Sequence, residues 1–277
     1  MPPFTLELLF NIIGIGSASG LLYDGHTLLL IGDNSGFLYE YRVADQSLNH
    51  HALLEQPSAN IPKSQKPDFE AIVSDDQNIY VFGSGSTEKR NKMVTLNKTT
   101  KAITATTDLT NLYLSMQSFA QIKPEDFNIE GVVRDQETWY FFQRGNGAKG
   151  QNGVFSVEVR DWELDFNMVY NAFKLPKIKG VRASFTDAIM VDDTLYFLAS
   201  AEDSNSTYHD GVVLGTLIGT IDHVKMKLGK TKTISNSHKF EGLALFAKSE
   251  AQTEFLLCED NDTDALTSGI YKLTLQR

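Results

Sequence analysis

A short motif recurs five times along this 277-residue chain, at a spacing that few folds use. The copies read "ASGLL" from Ala18, "FEAIV" from Phe69, "IEGVV" from Ile129, "TDAIM" from Thr186 and "FEGLA" from Phe240. Each copy places one polar side chain in a run that otherwise resembles a buried strand. These polar residues are Ser19, Glu70, Glu130, Asp187 and Glu241. They lie about 55 residues apart, within the range of β-propeller blades.

Each copy is followed by the same order of strand signals. Runs rich in Val, Ile, Tyr and Phe alternate with clusters of Gly, Asn, Asp and Ser, which indicates strands joined by turns. The last unit lacks a fourth strand, and "TLELLFNIIGI" near the N-terminus can supply it. The sequence therefore predicts an all-β fold, a five-bladed β-propeller of four-stranded antiparallel blades. We expect residues 1–277 to form one domain, with the N-terminal strand closing the ring by pairing with the last blade.

The repeated motif also predicts a polar centre. If its strand is the innermost of each blade, then Ser19, Glu70, Glu130, Asp187 and Glu241 converge on one axis. Four carboxylates and a hydroxyl at close range repel one another or bind a cation, and an all-oxygen set favours Ca²⁺ first and Mg²⁺ second. The alternative is a wet channel in which the carboxylates pair with nearby cationic side chains. The candidates for that pairing are Lys66, Arg90, Arg144 and Arg182.

Composition limits the partners. With 35 acidic against 25 basic residues, the formal charge of -10 argues against nucleic-acid binding, which needs a basic face. The longest apolar run is too short to span a bilayer, so no membrane association is expected. The single cysteine, Cys258, suits a reducing compartment. We expect a cytoplasmic protein, or an exported one if a signal precedes the sequence given.

The order of these motifs resembles the calcium-activated nucleotidases, the apyrase family of five-bladed propellers. In that family a Ser, a Glu, a Glu, a Ser and a Glu on successive innermost strands surround a central calcium. Ser19, Glu70, Glu130 and Glu241 match that pattern, and Asp187 stands in place of the second serine. The stretches "LLLIGDNSGFLYEY", "WYFFQRGN" and "KFEGLAL" are similar to the family's first, third and last blades.

Two loops depart from the nucleotidase pattern. The first-blade loop "GDNSG" keeps Asp33 but lacks the family's arginine, and only Arg144 of the third-blade arginine pair is present, preceded by Gln143. The chain is more distantly similar to bacterial propellers described as phytase-like or esterase-like. It fits best with uncharacterised bacterial propellers that have no assigned reaction.

The loops on the predicted channel mouth supply candidate functional residues. We expect Asp33 or Glu202 to act as a base and Arg144 to clamp an anionic oxygen, as catalytic groups of a calcium-dependent hydrolase of a phosphate ester or anhydride. Further ligand contacts are predicted from Asn34, Arg90, Arg182, Asp203 and Glu259. The expected partner is a small anionic molecule. The alternative is a non-catalytic propeller that binds a metabolite or a protein, in which the ion or ion pairs only hold the blades together.

Overall fold

The computed structural model describes residues 3–145, 150–203, 211–261 and 266–276. Within these ranges the chain forms five four-stranded antiparallel sheets and one two-stranded sheet. The innermost strands of the five larger sheets contact one another in a closed cycle, so the sheets are the blades of a propeller. The predicted fold class is confirmed.

The chain starts with β1 (Phe4–Ile13), which belongs to the last blade. The first blade contains β2 (Ala18–Tyr23), β3 (Thr27–Gly32), β4 (Phe37–Arg42) and β5 (Ser47–Ala52). The second contains β6 (Phe69–Ser74), β7 (Asn78–Gly83), β8 (Lys92–Asn97) and β9 (Ile103–Asp108). The third contains β10 (Ile129–Asp135), β11 (Thr138–Gln143), β12 (Gly153–Asp161) and β13 (Asp165–Ala172).

A small hairpin of β14 (Lys177–Ile178) and β15 (Val181–Arg182) precedes the fourth blade. That blade contains β16 (Ser184–Val191), β17 (Thr194–Asp203), β18 (Val212–Asp222) and β19 (Lys227–Ser235). The last blade contains β20 (Phe240–Lys248), β21 (Gln252–Glu259), β22 (Thr267–Gln276) and β1. In it β1 runs antiparallel to β22, with Phe4 opposite Leu275, so the N-terminal strand closes the ring as predicted.

The core lies between adjacent blades, where aromatic side chains of neighbouring sheets meet. Phe82 of the second blade and Phe141 of the third meet edge to face at 5.6 Å between ring centroids. The outermost strands, such as β9, are mostly exposed, whereas middle strands such as β3 are buried almost throughout. This burial explains why the middle strands are continuous apolar runs and the outer ones are polar.

A β-bulge interrupts the innermost strand of every blade at the repeated motif. The pairing with the next strand skips one residue in each case, namely Ser19, Glu70, Glu130, Thr186 and Glu241. The equivalent residue of the fourth blade is therefore Thr186, and the repeat frame that placed Asp187 there is wrong by one position. Thr186 and Asp187 are both polar, so the sequence pattern alone allows either residue at this position. A shift of one residue places a side chain on the opposite face of a strand.

The connection between the second and third blades contains the α-helix of the described chain, α1 (Thr110–Ala120), which sequence patterning did not predict. Leu112, Tyr113 and Met116 form its buried face, and the Tyr113 hydroxyl donates to the carbonyl of Gly83 at 2.8 Å. The helix ends at Gln121, which has a left-handed backbone conformation. In the ranges that the structure describes, no helix is long and apolar enough to cross a membrane.

Candidate functional site

The five bulge residues lie at the centre of the propeller and are almost inaccessible to solvent. Glu70 is 7% exposed, Glu130 1% and Glu241 3%, and the Ser19 and Thr186 hydroxyls are buried completely. Burying carboxylates without compensation is costly, so the surroundings of each one matter. These surroundings divide the centre into two halves.

A second layer of polar side chains lies two residues before the bulge residues. Asp68 precedes Glu70, Asn128 precedes Glu130 and Lys239 precedes Glu241, and all three are buried. Residues two apart on a strand share a face, so this layer continues the polar surface of the centre. In the sequence, each of these residues is the first letter of "DFE", "NIE" or "KFE", so a polar residue stands two positions before each ring glutamate. This spacing is the signal that could have identified them.

One half of the centre contains two buried cations, Arg144 and Lys239. The Arg144 guanidinium lies 3.0 Å from Glu130, 2.6 Å from Glu202 and 3.6 Å from Glu241. The Lys239 ammonium lies 3.0 Å from Glu241, 3.0 Å from Asp260 and 3.4 Å from Glu202. Arg144 therefore contacts two ring carboxylates, as the ion-pair interpretation of the sequence predicts.

Burial and these cations act in opposite directions on the two ring carboxylates. Burial raises the pKa of Glu130, and Arg144 and Lys239 oppose that rise without cancelling it. Burial likewise raises the pKa of Glu241 well above its usual value, against the effect of Lys239. The pKa of Lys239 is itself raised, because Glu241, Asp260 and Glu202 outweigh the loss of hydration.

The other half of the centre lies between the first two blades. The Lys66 ammonium contacts Asp33 and lies 2.8 Å from Asp68, and Arg90 lies 2.8 Å from the second oxygen of Asp68. Burial acts to raise the pKa of Asp68, but Lys66 and Arg90 hold it below its usual value. Burial raises the pKa of Asp33 in spite of Lys66.

Glu70 differs from Glu130 and Glu241 in the contacts of its carboxylate. No hydrogen bond or ion pair reaches it from any residue that the structure describes, although it is 93% removed from solvent. Burial and the nearby charges of Glu130 and Asp68 raise its pKa well above its usual value. One oxygen each of Asp33, Asp68 and Glu70 lie within 4.8 Å of one another.

Several other acceptor oxygens nearby are also unsatisfied. Over the described ranges, Oδ1 of Asp33, Oδ1 of Asn128 and Oε2 of Glu130 are buried and have no hydrogen-bond partner. Buried acceptors in native proteins are normally paired with a donor, a water molecule or an ion. In the described ranges the centre thus contains several acceptors without a donor, beside one buried donor without an acceptor, Nε of Arg144.

The hydroxyls of the ring join neighbouring blades. Ser19 donates to the carbonyl of Phe69, and Thr186 donates to the carbonyl of Phe240 at 2.7 Å. Asp187, one residue further on, accepts hydrogen bonds from the backbone N–H groups of Ala188 and Leu243, each at 2.7 Å. Burial raises the pKa of Asp187 well above its usual value. These bonds give both hydroxyls and Asp187 a structural role between blades.

In the described ranges, no ion pair or side-chain hydrogen bond links the remaining predicted ligand residues to the central network. The Asn34 amide donates to Asn60 at 3.4 Å, and the Arg182 guanidinium donates to the carbonyl of Leu175 at 2.8 Å. Asp203 ends β17 and is exposed, while Glu259 accepts a hydrogen bond from the Tyr271 hydroxyl at 3.1 Å. The structure brings Asp33, Arg90, Arg144 and Glu202 into the central network but does not bring these four residues to it.

In the described ranges, the central network contains more carboxyl groups than cationic side chains. Eight carboxylates in the described chain are linked to it by ion pairs or close Coulombic contact: Asp33, Asp68, Glu70, Glu130, Asp187, Glu202, Glu241 and Asp260. Four cationic side chains face them: Lys66, Arg90, Arg144 and Lys239. A group of side chains this rich in oxygen atoms suits a hard cation.

Comparison with known proteins gives a family and a fold. The model of the Family of unknown function (DUF6929) matches residues 14–275. A search of curated proteins finds no match. Among solved structures, the PQQ-bound aldose sugar dehydrogenase from Streptomyces coelicolor is similar at 11% identity, with 99% of each chain covered and a TM-score of 0.54.

Two further solved structures are similar over nearly their whole length. The major allergen Mala s 1 from Malassezia sympodialis is 9% identical, with 99% of this chain and 96% of that chain covered and a TM-score of 0.56. Glutaminyl cyclase from Myxococcus xanthus is 12% identical, with 98% and 97% covered and a TM-score of 0.49. At these identities the similarity concerns the propeller fold alone.

Proposed function

Because the chain belongs to the DUF6929 family of unknown function, we propose its function from the central site: the propeller binds a divalent cation there, Ca²⁺ before Mg²⁺. The observation that carries this proposal is the Glu70 carboxylate, which is buried beside other carboxylates without a hydrogen bond or ion pair from the described residues. An uncompensated buried carboxylate either keeps a proton or binds a cation. The surrounding acceptors favour the cation.

The donor atoms fit a hard ion. Carboxylate oxygens of Asp33, Asp68 and Glu70 lie close together, and the amide oxygen of Asn128 and one oxygen of Glu130 are unsatisfied in the part of the chain described. Ca²⁺ takes six to eight oxygen ligands in flexible geometry, completed by water, whereas Mg²⁺ requires a stricter octahedron. Ca²⁺ is therefore the first choice.

The corrected ring order supports the same proposal. With Thr186 in the fourth place, the sequence of bulge residues is hydroxyl, carboxylate, carboxylate, hydroxyl, carboxylate. This order agrees with the nucleotidase resemblance better than Asp187 did. It supports a cation at the centre, and it says nothing about a reaction.

The same contacts favour binding over catalysis. Arg90 and Arg144, the predicted clamps for an anionic substrate, are both ion-paired to buried carboxylates, and Glu202, a predicted base, is ion-paired to Arg144. An anionic ligand would have to displace one of these pairs or bind to the cation itself. We therefore place cation binding first, and hydrolysis of a phosphate ester or anhydride stays a prediction.

Thermal unfolding of EDTA-stripped protein tests the proposal. A ligand bound only by the folded state adds about 2.7 kcal/mol at a hundredfold excess over its Kd, which corresponds to a rise of about 5 to 10 °C for a chain of this size. We expect that rise with Ca²⁺ in the wild type and its loss in Glu70→Gln. Glu88→Gln, the same change at an exposed position of the second blade, is the control and should respond like the wild type. No shift in the wild type would contradict the proposal.

A further inference from the structure

The ring carboxylates are not equally available to a cation. Glu130 and Glu241 have Arg144 and Lys239 beside them, and both cations are fully buried. A divalent ion between these two carboxylates would compete with a cation at each of them. Asp33 and Asp68 are also ion-paired, with Lys66 and Arg90, but Glu70 has no ion pair from the described residues. The first and second blades offer a different geometry.

The carboxylates of Asp33, Asp68 and Glu70 form a compact group on that side. One oxygen from each lies within 4.8 Å of the others, which matches the separation of oxygens about 2.3 to 2.6 Å from a shared Ca²⁺. Two observations besides the clustering point to a ligand. Glu70 is more than nine-tenths buried and unpartnered, and Oδ1 of Asp33 is buried without a hydrogen bond from the described residues.

A cation from the chain itself already lies in this group. The Lys66 ammonium contacts both Asp33 and Asp68, and its side chain is only 13% exposed. Lys66 ends the long connection between β5 and β6, where its backbone N–H and that of Gln65 donate to the carbonyl of Pro62. The compact, flexible ammonium of lysine can be exchanged for another cation more easily than a guanidinium held on several partners.

We infer that the divalent cation binds off the propeller axis, at Asp33, Asp68 and Glu70, and that it takes the place of the Lys66 ammonium there. This inference rests on the proposed function and specifies its ligands. Both cations bind to the carboxylates of Asp33 and Asp68, so binding of one opposes binding of the other. Displacement of Lys66 also removes the contacts with Asp33 and Asp68 that hold this part of the connection.

Calorimetric titration with Ca²⁺ tests the position of the ion. The wild type is compared with Asp33→Asn, Glu70→Gln, Glu241→Gln and the exposed control Glu88→Gln. Since the number of charged ligands sets Ca²⁺ affinity, we expect Asp33→Asn and Glu70→Gln each to weaken binding by about tenfold or more, and Glu241→Gln to weaken it less than either. Glu88→Gln should bind like the wild type.

The two proposals fail in different ways. If Glu241→Gln weakens Ca²⁺ binding as much as Glu70→Gln does, the ion lies on the axis, and the off-axis site is overturned while the proposed function stands. If the wild type binds no Ca²⁺, the proposed function itself is overturned. Full binding by Asp33→Asn also overturns the off-axis site.

Hydrogen exchange of the wild type tests the displacement of Lys66. The amides of Gln65 and Lys66 are hydrogen-bonded to Pro62, and their exchange should become faster when Ca²⁺ is added. Unchanged or slower exchange overturns the displacement. Lys66→Met supplies a second readout, because removal of the competing ammonium should tighten Ca²⁺ binding. Binding by Lys66→Met that is equal to or weaker than that of the wild type also contradicts the inference.

Discussion

At the residue scale, the centre of the propeller is stabilised by buried cationic side chains that each contact several carboxylates. Arg144 contacts Glu130, Glu202 and Glu241, and removing it leaves these carboxylates with too little positive charge. Removing one partner of a buried ion pair lowers the stability of the fold much more than replacing both partners with apolar residues. Arg144 is therefore a structural residue whatever else it does, and loss of turnover in an Arg144→Ala variant would not identify a catalytic role.

Arg144→Met should lower the free energy of unfolding by about 3 to 5 kcal/mol, as expected when a buried charge loses its partner. Urea unfolding followed by circular dichroism measures this change. Arg160→Met is the matched control, since Arg160 is exposed and lies 3.7 Å from the equally exposed Asp165. An exposed pair contributes about 1 kcal/mol or less. If the two substitutions lower the free energy of unfolding equally, the ion pairs of Arg144 stabilise the fold no more than an exposed pair does.

The sequence predicted the ring glutamates but not most of their partners. Glu70, Glu130 and Glu241 are charged residues in strands that are otherwise apolar, so the pattern identifies them directly. Lys239 and Asp68 lie at the start of the same strands, where a polar residue is also typical of a loop, and nothing local distinguishes the two cases. Whether a cationic side chain contacts a ring carboxylate depends on the packing of different blades, which a single sequence does not show.

At the element scale, neighbouring blades are tied together by side chains that reach across the gap between them. In the turn between β6 and β7, Asp75 accepts hydrogen bonds from the backbone N–H groups of Gln77 and Asn78 and from the Tyr80 hydroxyl. It also pairs with Arg134 of the third blade, whose guanidinium lies 5.1 Å from the ring centroid of Trp139. One carboxylate thus shapes a turn and joins two blades.

Asp75 should make the stability of the protein sensitive to acid. Its partial burial acts to raise its pKa, but the hydrogen bonds from Asn78, Gln77 and Tyr80 and the pair with Arg134 hold the pKa below its usual value. A carboxylate with a lowered pKa stabilises the fold above its unfolded-state pKa of about 3.9, and this contribution is lost as the pH falls through the lower, folded-state value.

Asp75→Asn should therefore lower the melting temperature at pH 7, and its deficit relative to the wild type should shrink as the pH falls below about 4. Thermal unfolding across pH 3 to 7 measures the difference, with the exposed neighbour Asp76→Asn as the control. If the difference in melting temperature between Asp75→Asn and the wild type stays constant down to pH 3, the charge of Asp75 does not contribute to the stability of the fold.

Strand elements were easier to predict from sequence than the connections between blades. The blade strands show apolar runs or alternating patterns bounded by turn residues, so each can be predicted from its own segment. The two-residue strands β14 and β15 have no such pattern and were not predicted. Helix α1 lies in a connection where Leu112, Tyr113 and Met116 alone form the apolar face, and that pattern is too short to distinguish from a loop. The helix is held by packing against β13 and by the Tyr113 hydroxyl, contacts that depend on the finished ring.

At the scale of the whole molecule, the function proposed for this protein follows from its symmetry. The five innermost strands contact one another in a ring, so a polar residue repeated once per blade becomes a cluster at the centre. The cation is proposed there because Glu70 has no hydrogen bond or ion pair from the described residues. The period of about 55 residues was enough to predict that convergence. Closure by β1 was predicted from the missing fourth strand of the last unit. The period could not show that Arg144 and Lys239 lie beside Glu130 and Glu241, while Glu70 has no hydrogen bond or ion pair from the described residues.

Equilibrium dialysis with metal analysis tests this central claim most directly. Wild-type protein stripped with EDTA is dialysed against buffered Ca²⁺, or against Mg²⁺ in parallel, and the bound metal is counted per chain beside Glu70→Gln and Glu88→Gln. The account predicts one calcium ion per chain in the wild type and in Glu88→Gln, and little or none in Glu70→Gln. No bound metal in the wild type at millimolar Ca²⁺ would mean that Glu70 keeps its proton or is hydrated, and that the centre of the propeller does not bind a cation.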